Sequence, residues 1–200
     1  MNKTVRHVGI LIFDEVEVLD FAGPFEVFSV TDWQSDPRPF QVSLIAEKAS
    51  SVMARNQFRV LPHFTLTDHP PLDIALVPGG FGTRREMHNP VVLDWVKQQA
   101  AKAELLLSVC TGSIVLGAAG LLDGLPATTH HLRFDLLRQT SPGCVVREQQ
   151  RYVDAGKIIT SGGIAAGIDM SLYAVARLLG EQTARKTAEY MEYPFPITKS

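Results

Sequence analysis

Two hundred residues, 46% hydrophobic and 20% charged, describe an ordinary globular chain with room for a core, and the length suggests one domain spanning 1–200. A formal net charge of −2 gives no electrostatic reason to expect nucleic acid or an anionic membrane as partner. No apolar run approaches the roughly 20 residues a membrane span needs, and Met1-Asn2-Lys3-Thr4 leads into a strand without a signal-peptide pattern.

Two cysteines, Cys110 and Cys144, cannot build a disulfide framework, so a reducing cytoplasm is the expected setting. In chain order, Val5 to Phe13 reads as a first strand, apolar on both faces after Val8. Asp14 to Asp20 reads as a loop, and a helix is expected from Gly23-Pro24, because proline suits a first helical position. Phe40 to Ala46 makes a second strand. Val52 to Leu61, broken by Arg55-Asn56-Gln57, reads as two short strands or a strand with an excursion. The run Asp73-Ile74-Ala75-Leu76-Val77 is a further strand, closed by the tight turn Pro78-Gly79-Gly80. Asn89-Pro90 starts a helix whose buried side is Val91, Val92, Trp95 and Val96.

Glu104 to Gly120 organises the rest. Leu105-Leu106-Leu107 is a buried strand, Cys110 stands at its end, and Ile114 to Ala119 forms a small apolar helix that Gly120 can terminate. A strand, a tight turn and a helix hold a nucleophile on a strained corner; the hydrolase version carries serine. The N–H groups and dipole of the helix start favour a thiolate there. The plain alternative is that Cys110 is a small buried hydrophobe. Beyond it, Leu132 to Leu137 reads as a helix, and Val145-Val146 and Tyr152-Val153 as short strands. Lys157 to Thr160 precedes a long apolar helix over Ile164 to Leu179. A last helix starts near Glu181 and ends before Pro194 and Pro196.

Strands alternating with helices imply a mostly parallel sheet with helices on both faces, and such sheets bind ligands beyond the strands' carboxyl ends. The loop holding Asp20, the Gly79-Gly80 turn and Cys110 all fall on that edge. Gly79 and Gly80 could bring backbone N–H groups close to developing negative charge, with Thr111 adding its own. Among Asp14, Glu15, Glu17 and Asp20, Asp20 differs because Val18, Leu19, Phe21 and Ala22 flank it, which predicts a buried carboxylate able to carry a proton. His7, His63, His69 and His88 read as structural or solvated. Of His130 and His131, adjacent in an extended segment, at most one faces the cysteine. Neither belongs to a metal site, since no third ligand has suitable spacing. No histidine follows His131, which argues against a late-chain histidine of the glutamine amidotransferase kind.

Taken together, these pieces resemble the ThiJ/PfpI superfamily, and within it the isonitrile hydratases and the amidase-like domains of certain transcription regulators. The matching segments are Gly9-Ile10-Leu11-Ile12-Phe13, Leu19-Asp20-Phe21-Ala22-Gly23-Pro24, Val77-Pro78-Gly79-Gly80, Ser108-Val109-Cys110-Thr111-Gly112-Ser113, Leu116-Gly117-Ala118-Ala119-Gly120-Leu121-Leu122-Asp123-Gly124, Ala127-Thr128-Thr129-His130 and Thr160-Ser161-Gly162-Gly163 through Ala166-Gly167-Ile168-Asp169. The resemblance implies a flavodoxin-like three-layer sandwich, with Cys110 as nucleophile and Asp20 as the acidic partner where many relatives carry glutamate. Thr111 follows the nucleophile, as in isonitrile hydratases; the protease-like branch has histidine there. It also implies a homodimer acting on a small molecule without metal or organic cofactor. Hydratase-type relatives place tryptophan where this chain has His131, and the regulators continue into a helix-turn-helix domain whereas this chain stops at Ser200.

The leading expectation is hydration of an isonitrile to an N-substituted formamide. Gly79, Gly80, His130 and His131 would bind the substrate around Cys110. Hydration of a reactive carbonyl such as a glyoxal by the same thiol is the second. A non-enzymatic cysteine sensor of oxidation or ligand is the third.

Overall fold

The computed structural model describes residues 5–194; Met1 to Thr4 and Pro196 lie outside the described residues. The elements run in order as follows: β1 (Arg6–Leu11), α1 (Val18–Val30), β2 (Phe40–Ala46), β3 (Val52–Met53), β4 (Arg59–Val60), β5 (Phe64–Thr65), β6 (Ile74–Val77), α2 (Thr83–Glu86), α3 (Pro90–Lys102) and β7 (Leu105–Ser108). They continue with α4 (Gly112–Ala118), β8 (Pro126–Ala127), α5 (Phe134–Thr140), β9 (Val145–Val146), β10 (Tyr152–Asp154), β11 (Ile158–Ser161), α6 (Ala166–Leu179) and α7 (Glu181–Tyr190).

Among the described residues, seven strands form one sheet in the order β10-β11-β7-β6-β1-β2-β5. Every pairing in it is parallel except the β10–β11 hairpin. The central strands are apolar on both faces because helices cover both: α1, α6 and α7 pack together on one side, α3, α4 and α5 on the other. Ile10, Ile74, Leu76, Leu106 and Leu107 are accordingly fully buried. The alternation of strands and helices implied the mostly parallel sheet covered on both faces, and the family resemblance the flavodoxin-like three-layer sandwich; both are present.

β2 matches its expected span residue for residue, and Asn89 caps α3 as expected, its Oδ1 accepting the Val91 N–H at 3.1 Å. The 52–61 segment is a small antiparallel pair, β3 with β4. α1 corrects the sequence reading. It begins at Val18, so Asp20 lies in its first turn and Pro24 lies inside the helix, not at its start. Proline's preference for a first turn is overridden by packing: Val27 and Phe28, with Asp20, Phe21, Gly23 and Pro24, bury one face against the sheet and α6. α6 starts two residues later than expected, because Ile164 takes a left-handed φ of 56°.

The chain leaves β1 toward β2 on one side and reaches β6 on the other. β1 and β6 therefore flank the point where the sheet order reverses, and β7 stands next to β6. The loops following β1, β6, β7 and β11 meet there, where side chains of such sheets bind ligands.

Candidate active site

Cys110 follows β7 by two residues and adopts φ 56°, a left-handed conformation costing a non-glycine residue roughly 1–3 kcal/mol. The surroundings hold it there. Its N–H donates to the carbonyls of Ser161 (3.2 Å) and Gly162 (3.0 Å), and its carbonyl accepts Thr129 Oγ1 (2.9 Å) and Ser113 Oγ (3.2 Å). The turn throws the thiol off the strand end and onto the wall of a cavity of about 190 Å3. It is not sealed in packed hydrocarbon.

Asp20 approaches from beneath. It is fully buried, and the Gly79 N–H donates to its Oδ2 at 3.0 Å. The Cys110 thiol and the Ile164 N–H also act on this carboxyl, yet Oδ1 has no partner of good hydrogen-bond geometry among the described residues. Burial pushes the Asp20 pKa up to about 7, against the Gly79 hydrogen bond and the thiol; the nearby Glu17 charge adds to the rise. Burial likewise pushes the Cys110 thiol well above its ordinary range, and the Asp20 charge pushes it further, while the Thr111 N–H opposes both.

This corrects the expectation of a resting thiolate. α4 has only seven residues, and the N–H of Cys110 is engaged by β11 and the loop after it, so the helix start does not outweigh desolvation. A neutral thiol sits beside a carboxyl that titrates near neutrality. At pH 7 the thiol keeps its proton and the carboxyl is partly ionised, so a proton can pass from one to the other.

Thr111 ties the two sides of the crevice together: its Oγ1 accepts the Gly80 N–H (3.0 Å) and the Thr83 hydroxyl (3.1 Å). The N–H groups of Gly79 and Gly80, expected to face developing negative charge, are thus engaged by Asp20 and Thr111. No oxyanion cradle is built from them. Gly79 is instead a close approach: a Cβ there would lie 2.6 Å from Thr111 N and 2.8 Å from Asp20 Oδ2.

Glu17, Gly80, Phe81, Thr83, Cys110, Thr111, His130 and Ile164 line the cavity together with Arg84, Leu132, Arg133 and Leu136. His130 is half-buried, and its Nδ1 accepts the Leu132 N–H at 3.2 Å, which leaves the neutral ring's proton on Nε2. Burial and the neighbouring positive charges of His131 and Arg133 lower its pKa. His131 is exposed, stacks on His130 with ring centroids 4.4 Å apart, and does not line the cavity. His63 and His69 are structural: His63 Nδ1 accepts the Leu44 N–H, and His69 Nε2 accepts Trp95 Nε1. Both cysteines are free. Among the described residues no cluster of three His, Cys, Asp or Glu could hold a metal, and no helix is long and apolar enough to cross a membrane.

Sequence reasoning missed Phe81, Thr83, Arg84, Leu132, Arg133, Leu136 and Ile164 as cavity residues. Phe81, Thr83 and Arg84 closely follow the glycine pair, and that adjacency was the one available signal. The others depend on how the segments after β8 and β11 fold over the corner.

A parallel sheet with helices on both faces, carrying a thiol on the corner where hydrolases of related architecture carry serine, defines a flavodoxin-like α/β protein with a cysteine at the nucleophile position. A model of the DJ-1/PfpI family matches residues 6–177, and the chain belongs to that family. It is 39% identical over 187 residues to the isonitrile hydratase of Pseudomonas putida, covering 93% of this chain and 78% of that one. It is 24% identical to the HTH-type transcriptional regulator GbdR of Pseudomonas aeruginosa, covering 96% of this chain but 52% of the regulator. A ThiJ/PfpI family protein from Pseudomonas syringae superposes with a TM-score of 0.86 at 28% identity, over 98% of this chain and 78% of that chain. Drosophila melanogaster DJ-1beta shares the fold, with a TM-score of 0.83 at 18% identity over 96% of this chain and 100% of that one.

Proposed function

We propose that the protein is a cofactor-independent hydratase that converts an isonitrile to an N-substituted formamide, with residues 1–200 acting as one DJ-1/PfpI-like unit. The observation that carries the reading is the buried Cys110–Asp20 pair opening on a small cavity, in a chain 39% identical to an isonitrile hydratase. The family resemblance supports a homodimer acting on a small molecule, and the two free cysteines suit a reducing cytoplasm.

The chemistry follows from the shared proton. An isonitrile is attacked at its terminal carbon, and that same carbon must receive a proton. Asp20, titrating near 7, takes the thiol proton as sulfur closes on the carbon and delivers it to that carbon. The product is a thioimidate, R–N=CH–S–Cys110. Water then adds to the carbon with Asp20 accepting its proton and passing it to nitrogen, and as the C–S bond breaks the hydroxyl proton of the tetrahedral intermediate moves to sulfur. R–NH–CHO leaves, and the thiol is restored. Negative charge never accumulates on a carbonyl oxygen in the first step, which suits a corner whose Gly79 and Gly80 N–H groups are already engaged. Thr111 fixes the crevice around the sulfur through Gly80.

The direct test is formamide formation from a simple alkyl isonitrile by the wild type and by Cys110→Ser. Loss of turnover in the variant is expected, and equal rates end the proposal. Turnover of methylglyoxal with none of isonitriles would move the activity to carbonyl hydration.

A further inference from the structure

The lining of the cavity brings together unlike groups: Cys110, Thr111 and Glu17, two arginines, Arg84 and Arg133, and the apolar Phe81, Leu132 and Leu136. Neither arginine has a carboxylate partner among the described residues. Arg84 lies over the Phe81 ring, 4.5 Å from its centroid, and Arg133 donates to the Leu132 carbonyl at 3.1 Å. The molecule's other arginines near this edge are paired: Arg55 with Glu15 and Arg85 with Glu86. Two unpaired guanidiniums bordering one apolar cavity are unusual, because an arginine's fork is suited to bidentate carboxylate.

Glu17 is the one carboxylate among the lining residues, and no ion pair joins it to either arginine among the described residues. The cavity is small, about 190 Å3, so the occupant is a short molecule.

We propose that the cavity takes a small carboxylate-bearing substrate, its electrophilic carbon at Cys110, its short apolar body against Phe81, Leu132 and Leu136, and its carboxylate on Arg84 and Arg133. This rests on the hydratase reading for the reacting end only; the anion subsite stands on the two arginines. Arg84 and Arg133 are specificity residues and take no part in the proton transfer.

Two measurements separate the claims. The first compares kcat/KM for 3-isocyanopropanoate and its methyl ester; the acid is favoured by about tenfold, and Arg84→Gln with Arg133→Gln abolishes the preference. The second needs no turnover: Cys110 is alkylated by iodoacetate or iodoacetamide, and peptide mass spectrometry follows it with Cys144 as internal reference. The iodoacetate-to-iodoacetamide rate ratio at Cys110 falls about tenfold in the double variant, while the ratio at Cys144 holds. In the wild type the Cys110 ratio also falls as salt rises, which reads the subsite without any substitution. A Cys110 ratio insensitive to both the arginines and salt overturns the proposal, whatever the isonitrile assay gives. A falling ratio with neither isonitrile hydrated keeps the subsite and removes the hydratase reading.

Discussion

Gly79 donates its N–H to Asp20 Oδ2 at 3.0 Å, so the carboxyl beneath the thiol is gripped by the strand adjoining the thiol's own. Asp20 belongs to α1, Gly79 to the turn after β6 and Cys110 to the turn after β7. One hydrogen bond thereby fixes the relative height of a helix and two strands. Because that bond favours the charged carboxylate while burial opposes it, Asp20 ends near neutrality and can both take and give a proton.

The first expectation concerns pH and rate. Asp20 must be ionised to accept the thiol proton, so kcat/KM for an isonitrile rises with pH and levels off above about 7. The thiol, held far above its ordinary pKa, contributes no limb in this range. Asp20→Asn should lower turnover by ~10² or more and remove the limb. A profile flat from pH 5 to 9 in the wild type, or a variant within twofold of it, would take Asp20 out of the mechanism.

The same carboxyl links stability to pH. Its pKa is raised from the ordinary 3.8 to about 7 on folding, so between those values the folded chain binds more protons than the unfolded one. The stabilisation is full below the unfolded value and is lost as pH climbs through the folded one. Asp20→Asn, which mimics the protonated acid and keeps an acceptor for Gly79, escapes that loss. Relative to wild type it should gain about 2 kcal/mol between pH 5 and pH 8. Urea unfolding at the two pH values measures this; a constant difference would mean the carboxyl titrates normally.

Gly79 is sensitive for a steric reason. An alanine Cβ would stand 2.6 Å from Thr111 N and 2.7 Å from Thr111 Oγ1, with Asp20 Oδ2 on its other side at 2.8 Å. None of those atoms can retreat without breaking a hydrogen bond or moving the nucleophile's turn. Gly79→Ala should cost about 1–3 kcal/mol in stability, and activity should fall by more than tenfold as the carboxyl and thiol separate. An unfolding midpoint and a turnover number both equal to wild type would show that the corner is softer than its packing.

Much of this was legible in the chain because buried parallel strands write themselves as unbroken apolar runs; β1, β2, β6 and β7 were readable on that ground. The burial of Asp20 was readable too, from Val18, Leu19, Phe21 and Ala22 around it. What misled was local chemistry overruled by packing. Pro24 announced a helix start, yet α1 begins six residues earlier at Val18. The ionisation of Cys110 was misjudged for a related reason: a helix start is visible in sequence, whereas the desolvation that outweighs it comes from several loops at once. The cavity walls escaped notice because β8, β11 and the residues after them must fold before Arg133, Leu136 and Ile164 share a surface with Phe81 and Arg84.

His130 and His131 separate two roles that adjacent residues could have shared. The expected alternation held only in part: His130 lines the cavity, while His131 begins a short 3-10 turn and lies outside, its ring on the outer face of the His130 ring. A Cβ on Gly163 would fall 2.2 Å from His130 Cδ2, so the ring is also wedged against the loop that contributes Ile164. Removing His130 should therefore open the cavity wall and loosen that loop, at a loss of about tenfold in kcat/KM. Replacing His131 by alanine, or by tryptophan as in hydratase-type relatives, should change kcat/KM by no more than about threefold, less than 1 kcal/mol. Steady-state kinetics of His130→Ala, His131→Ala and His131→Trp on one isonitrile make the comparison. A tenfold effect at His131 with none at His130 would mean that the ring facing the thiol during turnover is His131, against its place outside the cavity wall.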